Sequence, residues 1–226
     1  MRRRGKRLSY YPPNQTIYAM SCCDTNGLNR MFSGSYVERE KRTFLKRGLS
    51  ERQQAFFESL DLDEKSILDL GCGIGALGLT ALQRGAERAH LVDVSQASLR
   101  LAQELRVQLD LSGATFTQGD GARLELPPAD IVVLDRVVCC YPDAGNLLRK
   151  ASSLSECDLL FTYPLARWWL RLGRSLLNLS MVVTRNDYRF YVHSEDHLLD
   201  AAAQHGHRLK RRQRYGVWQF CHFSKL

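Results

Sequence analysis

The chain has 226 residues, enough for one α/β domain with modest additions, and 44% of them are hydrophobic, an ordinary share for a packed core. No run approaches the roughly 20 consecutive apolar residues of a spanning helix, and the basic N-terminal stretch lacks the apolar core of a signal peptide, so a cytoplasmic, reducing location is expected. A formal net charge of +8 fits an acidic substrate, an anionic membrane surface or nucleic acid, against the plain reading of a solvated surface. The seven cysteines are Cys22, Cys23, Cys72, Cys139, Cys140, Cys157 and Cys221. None forms a CxxC pair, so they read as thiols, with no zinc framework and no metal site expected.

Residues 1–20 read as an irregular arm, punctuated by Pro12 and Pro13. From about 36 to 60 the apolar spacing is helical, with Gly48 and the N-cap candidate Ser50 dividing two helices. Strand-like apolar runs then recur at 66–70, 89–94, 114–118, 131–138 and 159–163, separated by helical stretches at 76–84, 96–109 and 143–153. That alternation predicts an α/β, doubly wound, mostly parallel sheet. The last third departs from it. "PLARWWLRLGRSLLNLS" is an amphipathic helix, "YRFYVHS" a candidate strand, and "SEDHLLDAAAQHG" a helix started by Ser194 and stopped by Gly206. The tail reads as two strands around Gly216. The expected organisation is an N-terminal arm with helices over 1–60 and a domain over 61–226, with a cap insertion at about 165–192.

The stretch "SILDLGCGIGALGL" places Asp69 before glycines at 71, 73, 75 and 78. Glycines between a strand and a helix let a ligand approach the backbone and leave amide donors at the helix start. "GIGALG" also satisfies G-x-G-x-x-G, so a dinucleotide site competes on that signal alone. Two features weigh against it. Asp93 ends the second strand, 22 residues beyond Gly71, where a carboxylate can bind ribose hydroxyls. "QGDGARL" closes the third strand, where Asp120 can meet a purine amine. Asp69 has no role in cradling pyrophosphate, and suits a ligand with an ammonium group.

"LDLGCGIG", "LVDVS", "QGD" and "ADIVVLDRVVCCYPD" together resemble the successive motifs of class I S-adenosylmethionine-dependent methyltransferases. The resemblance implies the Rossmann-like fold of that family, a seven-stranded sheet with a reversed final strand. It implies S-adenosyl-L-methionine as cofactor. Asp69 with Gly71, Gly73 and Gly75 would hold its methionine moiety, Asp93 its ribose and Asp120 its adenine, with Asp135 and Arg136 near the sulfonium end.

Methyl transfer from a sulfonium is an in-line displacement that needs alignment and a dry cavity, and a base only for a protonated acceptor. No Asn-Pro-Pro-Tyr or Asp-Pro-Pro-Tyr signature follows the fourth strand; the chain reads "CCYPD" there. The arm "MSCCDTNGLNRMFS", "FLKRGL", "LDRVVCCYPD" and "TYPLARWWLRLGRSLLNL" resemble magnesium-protoporphyrin O-methyltransferases and their bacterial relatives. That implies a small, acidic acceptor methylated on a carboxylate or hydroxyl oxygen, with arginines holding its acids. His193 is the candidate base and Tyr141 a candidate lining of the acceptor pocket. Trp168 and Trp169 could stack on a flat substrate, rest on a membrane surface or pack the cap. Nucleic acid is not the expected partner, since the basic clusters lack interleaved aromatics, and no obligate protein partner is evident. Two other readings stand beside this one: a nucleic-acid methyltransferase or binder, and a metalloid methyltransferase using Cys22–Cys23 and Cys139–Cys140. Against the latter, adjacent side chains of a strand point to opposite faces, so Cys139 and Cys140 should not share a ligand.

Overall fold

A computed structural model of the protein describes residues 34–166, 168–184 and 188–225, and between 168 and 183 the side chains of 173, 175 and 177–183 only. Cys22 and Cys23, the N-terminal arm, and the side chains of Trp168 and Trp169 lie outside the described residues. Seven strands form one sheet in the order β3-β2-β1-β4-β5-β7-β6. In chain order these are β1 (Ser66–Leu70), β2 (Arg88–Asp93), β3 (Ala114–Gln118), β4 (Ala129–Leu134), β5 (Ser155–Pro164), β6 (His207–Tyr215) and β7 (Trp218–Lys225). All neighbours pair in parallel except β7, which runs antiparallel between β5 and β6. The central strands are near-continuous apolar runs because helices cover both faces of the sheet. Ile67, Leu68 and Leu70 of β1 and Ile131 to Leu134 of β4 are all buried.

On one face α3 (Ala76–Gln83) and α4 (Gln96–Gln108) pack together with α1 (Ser35–Arg47) and the segment that follows it. On the other lie α5 (Ala144–Leu154) and α7 (Glu195–Ala202). Gly48, at φ 68°, ends α1, and Ser50 caps the single turn α2 (Glu51–Gln54). Gln53 Oε1 accepts from both Ser50 N (3.1 Å) and Ser50 Oγ (2.9 Å), so the Gln53 side chain reaches back to the N-cap backbone as in a capping box. The helix expected to run to residue 60 stops at Gln54. Beyond it, irregular turns bury Phe56 and Phe57, and Phe56 meets Phe220 of β7 edge-on at 5.1 Å. Tertiary packing of two aromatic rings here overrides a helical period.

Two further expectations are corrected. The apolar run 131–138 is not one strand: β4 ends at Leu134, Arg136 takes a left-handed conformation (φ 62°), and Val138–Cys140 form a 3-10 turn. The "YRFYVHS" segment makes no strand. Its backbone is held by a turn and a helix side chain instead: Tyr191 N donates to Cys139 O (2.8 Å), and the Asn178 amide brackets Phe190 N and O. Asn178 belongs to α6 (Trp168–Val183), which stands between β5 and α7 where a cap insertion was expected. The "RLKRRQR" cluster lies on the edge strand β6, where charge discourages pairing with another chain. Arg211 pairs with Glu58, and Arg212 with Glu195. No helix among the described residues is long and apolar enough to cross a membrane.

Candidate cofactor and acceptor cavity

The parallel strands deliver their acids to one end of the sheet. Asp69, next to last in β1, is buried, and its Oδ2 accepts from Gly78 N at 3.1 Å. Burial pushes its carboxyl up to about 7; the Gly78 amide opposes the rise and the Asp93 charge adds to it. Asp93 closes β2. Its Oδ2 accepts from Gly73 N (2.8 Å) and its Oδ1 from Ser95 N (2.7 Å), so this carboxylate ties the glycine turn to the start of α4. Burial raises its pKa, and the two amides restrain the rise. A carboxylate offers about four acceptor positions, so Asp93 keeps capacity for a ligand.

The glycines divide in role. Gly73, at φ 54°, lines the cavity, and a Cβ built on it would meet nothing within 4 Å. A side chain there would fill the space that a ligand could take. Gly75, at φ 77°, is a packing position instead: its Cβ would come 2.6 Å from Leu91 Cδ2 and 3.2 Å from Ala102 Cβ. Gly71 backs onto Val137.

One cavity of about 970 Å³ runs from this turn past the end of β4 to α1, α2, α6 and Trp218. Of the residues picked out from the sequence, Asp69, Gly71, Gly73, Asp93, Asp135, Arg136 and Tyr141 line it, whereas Gly75, Asp120 and His193 do not. Gly119 and Gly121 do, on either side of Asp120. The Asp120 side chain is tied into the fold through Oδ1, which accepts from Tyr141 OH (2.7 Å) and Ala122 N (3.0 Å), while Oδ2 lies 3.4 Å from Arg123 Nε. His193 donates through Nε2 to Tyr141 O at 2.9 Å, which fastens the 188–193 segment to the turn, and burial lowers its pKa. With Nε2 donating, proton uptake by this ring falls to Nδ1.

Asp135 and Arg136 anchor the N-terminal helices. Asp135 forms a buried ion pair with Arg52 and accepts from Thr162 Oγ1 (2.8 Å); Thr162 in turn accepts from Arg136 N (2.8 Å). Burial, then the Arg136 charge, lowers Arg52 to about 10, and its guanidinium lies 5.7 Å from the Trp218 ring centroid. Arg136 Nη2 meets Glu40 Oε1 at 2.7 Å, the same oxygen that accepts from Tyr36 OH at 3.1 Å. Arg136 Nε is buried with no hydrogen-bond partner among the described residues. The i, i+4 spacing of Tyr36 and Glu40 put both on one helix face, yet nothing local in the sequence tied that face to Arg136.

Cys139 and Cys140 overturn the expectation drawn from strand geometry. In the 3-10 turn their Sγ atoms stand 4.0 Å apart, and both residues line the cavity. No cluster of three or more metal-ligating side chains occurs among the described residues.

Residues 61–169 match the family model described as a methyltransferase domain. The ribosomal protein L11 methyltransferase of Azotobacter vinelandii is 30% identical over 109 residues, which is 46% of this chain. The chain spans only 37% of that relative's length. Among solved structures, magnesium protoporphyrin IX methyltransferase from Synechocystis PCC 6803 with bound SAH superposes with a TM-score of 0.69 at 19% identity, covering 90% of this chain and all of that one. The same protein with bound SAM gives 0.67 at 18% identity over 93% of this chain. At such identity the likeness carries the fold.

Proposed function

We propose that residues 61–169, which match a methyltransferase domain, act as a class I, S-adenosylmethionine-dependent methyltransferase, and that the chain methylates an oxygen, foremost a carboxylate, of a small acidic molecule. The residues fit the cofactor, because the glycine turn presents at Gly73 a backbone surface that a Cβ would obstruct. When bound, S-adenosylmethionine supplies a methyl group activated by the sulfonium. Asp69 meets the ammonium end and Asp93 the ribose hydroxyls with its spare lone pairs. The purine is held where Gly119 and Gly121 line the cavity on either side of Asp120, whose Oδ1 is engaged by Tyr141 and Ala122 and whose Oδ2 keeps acceptor capacity.

The observation that carries the acceptor class is the continuation of the cavity past β4. Its lining includes Arg39 and Arg47, the paired Arg52 and Arg136, and the rings of Tyr188, Phe190 and Trp218. Small-molecule sites occupy roughly 300–1,000 Å³, so 970 Å³ leaves room for an acceptor beside the cofactor. Arginines hold companion carboxylates bidentately, and the aromatic rings cover an apolar body. A carboxylate is already ionised near neutral pH, so no base is required, in keeping with the tethered His193.

The test supplies labelled S-adenosylmethionine with a panel of aromatic polycarboxylic acids, protoporphyrin IX among them. The expected product is a base-labile methyl ester in the small-molecule fraction, with Arg136→Met raising KM at least tenfold. The L11 relatives suggest a protein acceptor as the second reading; base-stable label found only in protein, ribosomal L11 included, would replace the carboxylate by it.

A further inference from the structure

Transfer to a carboxylate leaves two cavity groups without a task, the adjacent thiols Cys139 and Cys140. Both donate toward one carbonyl, Arg136 O, at 3.4 and 3.7 Å, so the short-pitched turn gathers the two sulfurs on one side. Cys140 Sγ also stands 3.6 Å from Tyr188 OH on the cavity wall.

An internal disulfide is not the natural fate of this pair. Cα atoms joined by a trans peptide are about 3.8 Å apart, inside the roughly 4.4 Å at which disulfide geometry begins. A zinc ion would require at least a third protein ligand, and the described residues offer no such cluster. The arrangement suits one soft atom that bonds two sulfurs together and needs no further protein donor.

We propose that Cys139 and Cys140 form a dithiol site for a trivalent, thiophilic metalloid, with a singly substituted organoarsenical the matching form. In its condensation with an arsine oxide, the arsenic–oxygen bond breaks and two arsenic–sulfur bonds form. The oxygen leaves as water with both thiol protons; arsenic stays trivalent and no electron is transferred. The site does not depend on the acceptor class proposed above, since its ligand is defined by the sulfurs alone.

The rival is the other adjacent pair in the chain, Cys22 and Cys23, so the test uses full-length protein carrying Cys22→Ser and Cys23→Ser. One equivalent of phenylarsine oxide is added, excess monothiol washes away single-sulfur adducts, and intact mass and free thiols are read. The expected result is one phenylarsenic per chain with two thiols lost, released by 2,3-dimercaptopropanol. Tandem mass mapping of the same sample should locate the bridge in the 139–140 peptide, which needs no further variant. Adding Cys139→Ser or Cys140→Ser should reduce the wash-resistant adduct at least tenfold, while Cys72→Ser leaves it unchanged. No adduct in the Cys22/Cys23 background, a bridge mapped elsewhere, or an adduct surviving either serine replacement would overturn the assignment.

Discussion

Asp69 is a carboxyl group placed where water cannot solvate its charge, with a second carboxylate on the neighbouring strand. Its folded-state pKa of about 7 exceeds the unfolded value of 3.8. Between those values the folded chain binds the proton and the unfolded chain does not, so this group's stabilising contribution declines as pH rises from about 4 to 7. Asp69→Asn should therefore raise the melting temperature of the ligand-free chain more at pH 7.5 than at pH 5, relative to the unsubstituted protein. Because an ammonium group favours the ionised form, cofactor binding near pH 6.5 should release a proton. Calorimetry in buffers of different ionisation enthalpy measures it, and zero release would remove the ammonium role. Asp93→Asn leaves one oxygen where two amides donate, with its own NH₂ turned on the other. The expected cost is about 1–3 kcal/mol in stability together with at least a tenfold loss of cofactor affinity, readable by denaturation and titration calorimetry.

Among the elements, α2 is one turn long, yet it delivers Arg52 to Asp135 at the end of β4. Removing one member of a buried pair typically costs about 3–5 kcal/mol, because the other is left uncompensated. Arg52→Met should thus destabilise the chain by that order, and Asp135→Asn added to it should recover part of the loss. A double-mutant cycle in urea checks this; additivity would mean the pair is not coupled. The strands β1 and β3 were legible to the residue in the sequence because each is a short apolar run flanked by turn residues. The bend after β4 was not. "DRVVCC" contains neither glycine nor proline, and Val137, Val138 and Cys139 are buried as strand residues would be. Tyr188, read as part of a strand, is buried against the thiol turn by long-range contacts that no local period records. That Asp69 and Asp93 would line the cavity was readable from their position at the carboxyl ends of strands. That Asp120 and His193 would each bond Tyr141 was not, since it lies 21 and 52 residues away along the chain.

At the scale of the molecule, the sheet order reverses between β1 and β4, and in such sheets the ligand crevice opens outside the carboxyl ends of the strands at that point. The cavity takes Asp69 and Gly71 from the β1 end and Asp135 from the β4 end, as that rule requires. The alternation of elements foretold this much; the roof made by α1 and α2 depends on ion pairs spanning more than 80 residues of chain. Because ligand should bind the folded state alone, product cofactor at a hundred times its Kd should raise stability by about 2.7 kcal/mol. A melting temperature indifferent to that addition would deny the crevice its ligand.

The left-handed backbone at Arg136 bears on how this turn is occupied. Were the bend needed only to steer the chain, glycine would adopt it freely, whereas a residue bearing Cβ sits there uphill by about 1–2 kcal/mol. The guanidinium is therefore kept against the preference of its own main chain. Replacing it by alanine and by glycine separates the two contributions: the glycine variant should be the more stable of the pair by about 1 kcal/mol, reversing the usual order within folded segments. Whatever that position gains for the molecule is gained by the side chain alone.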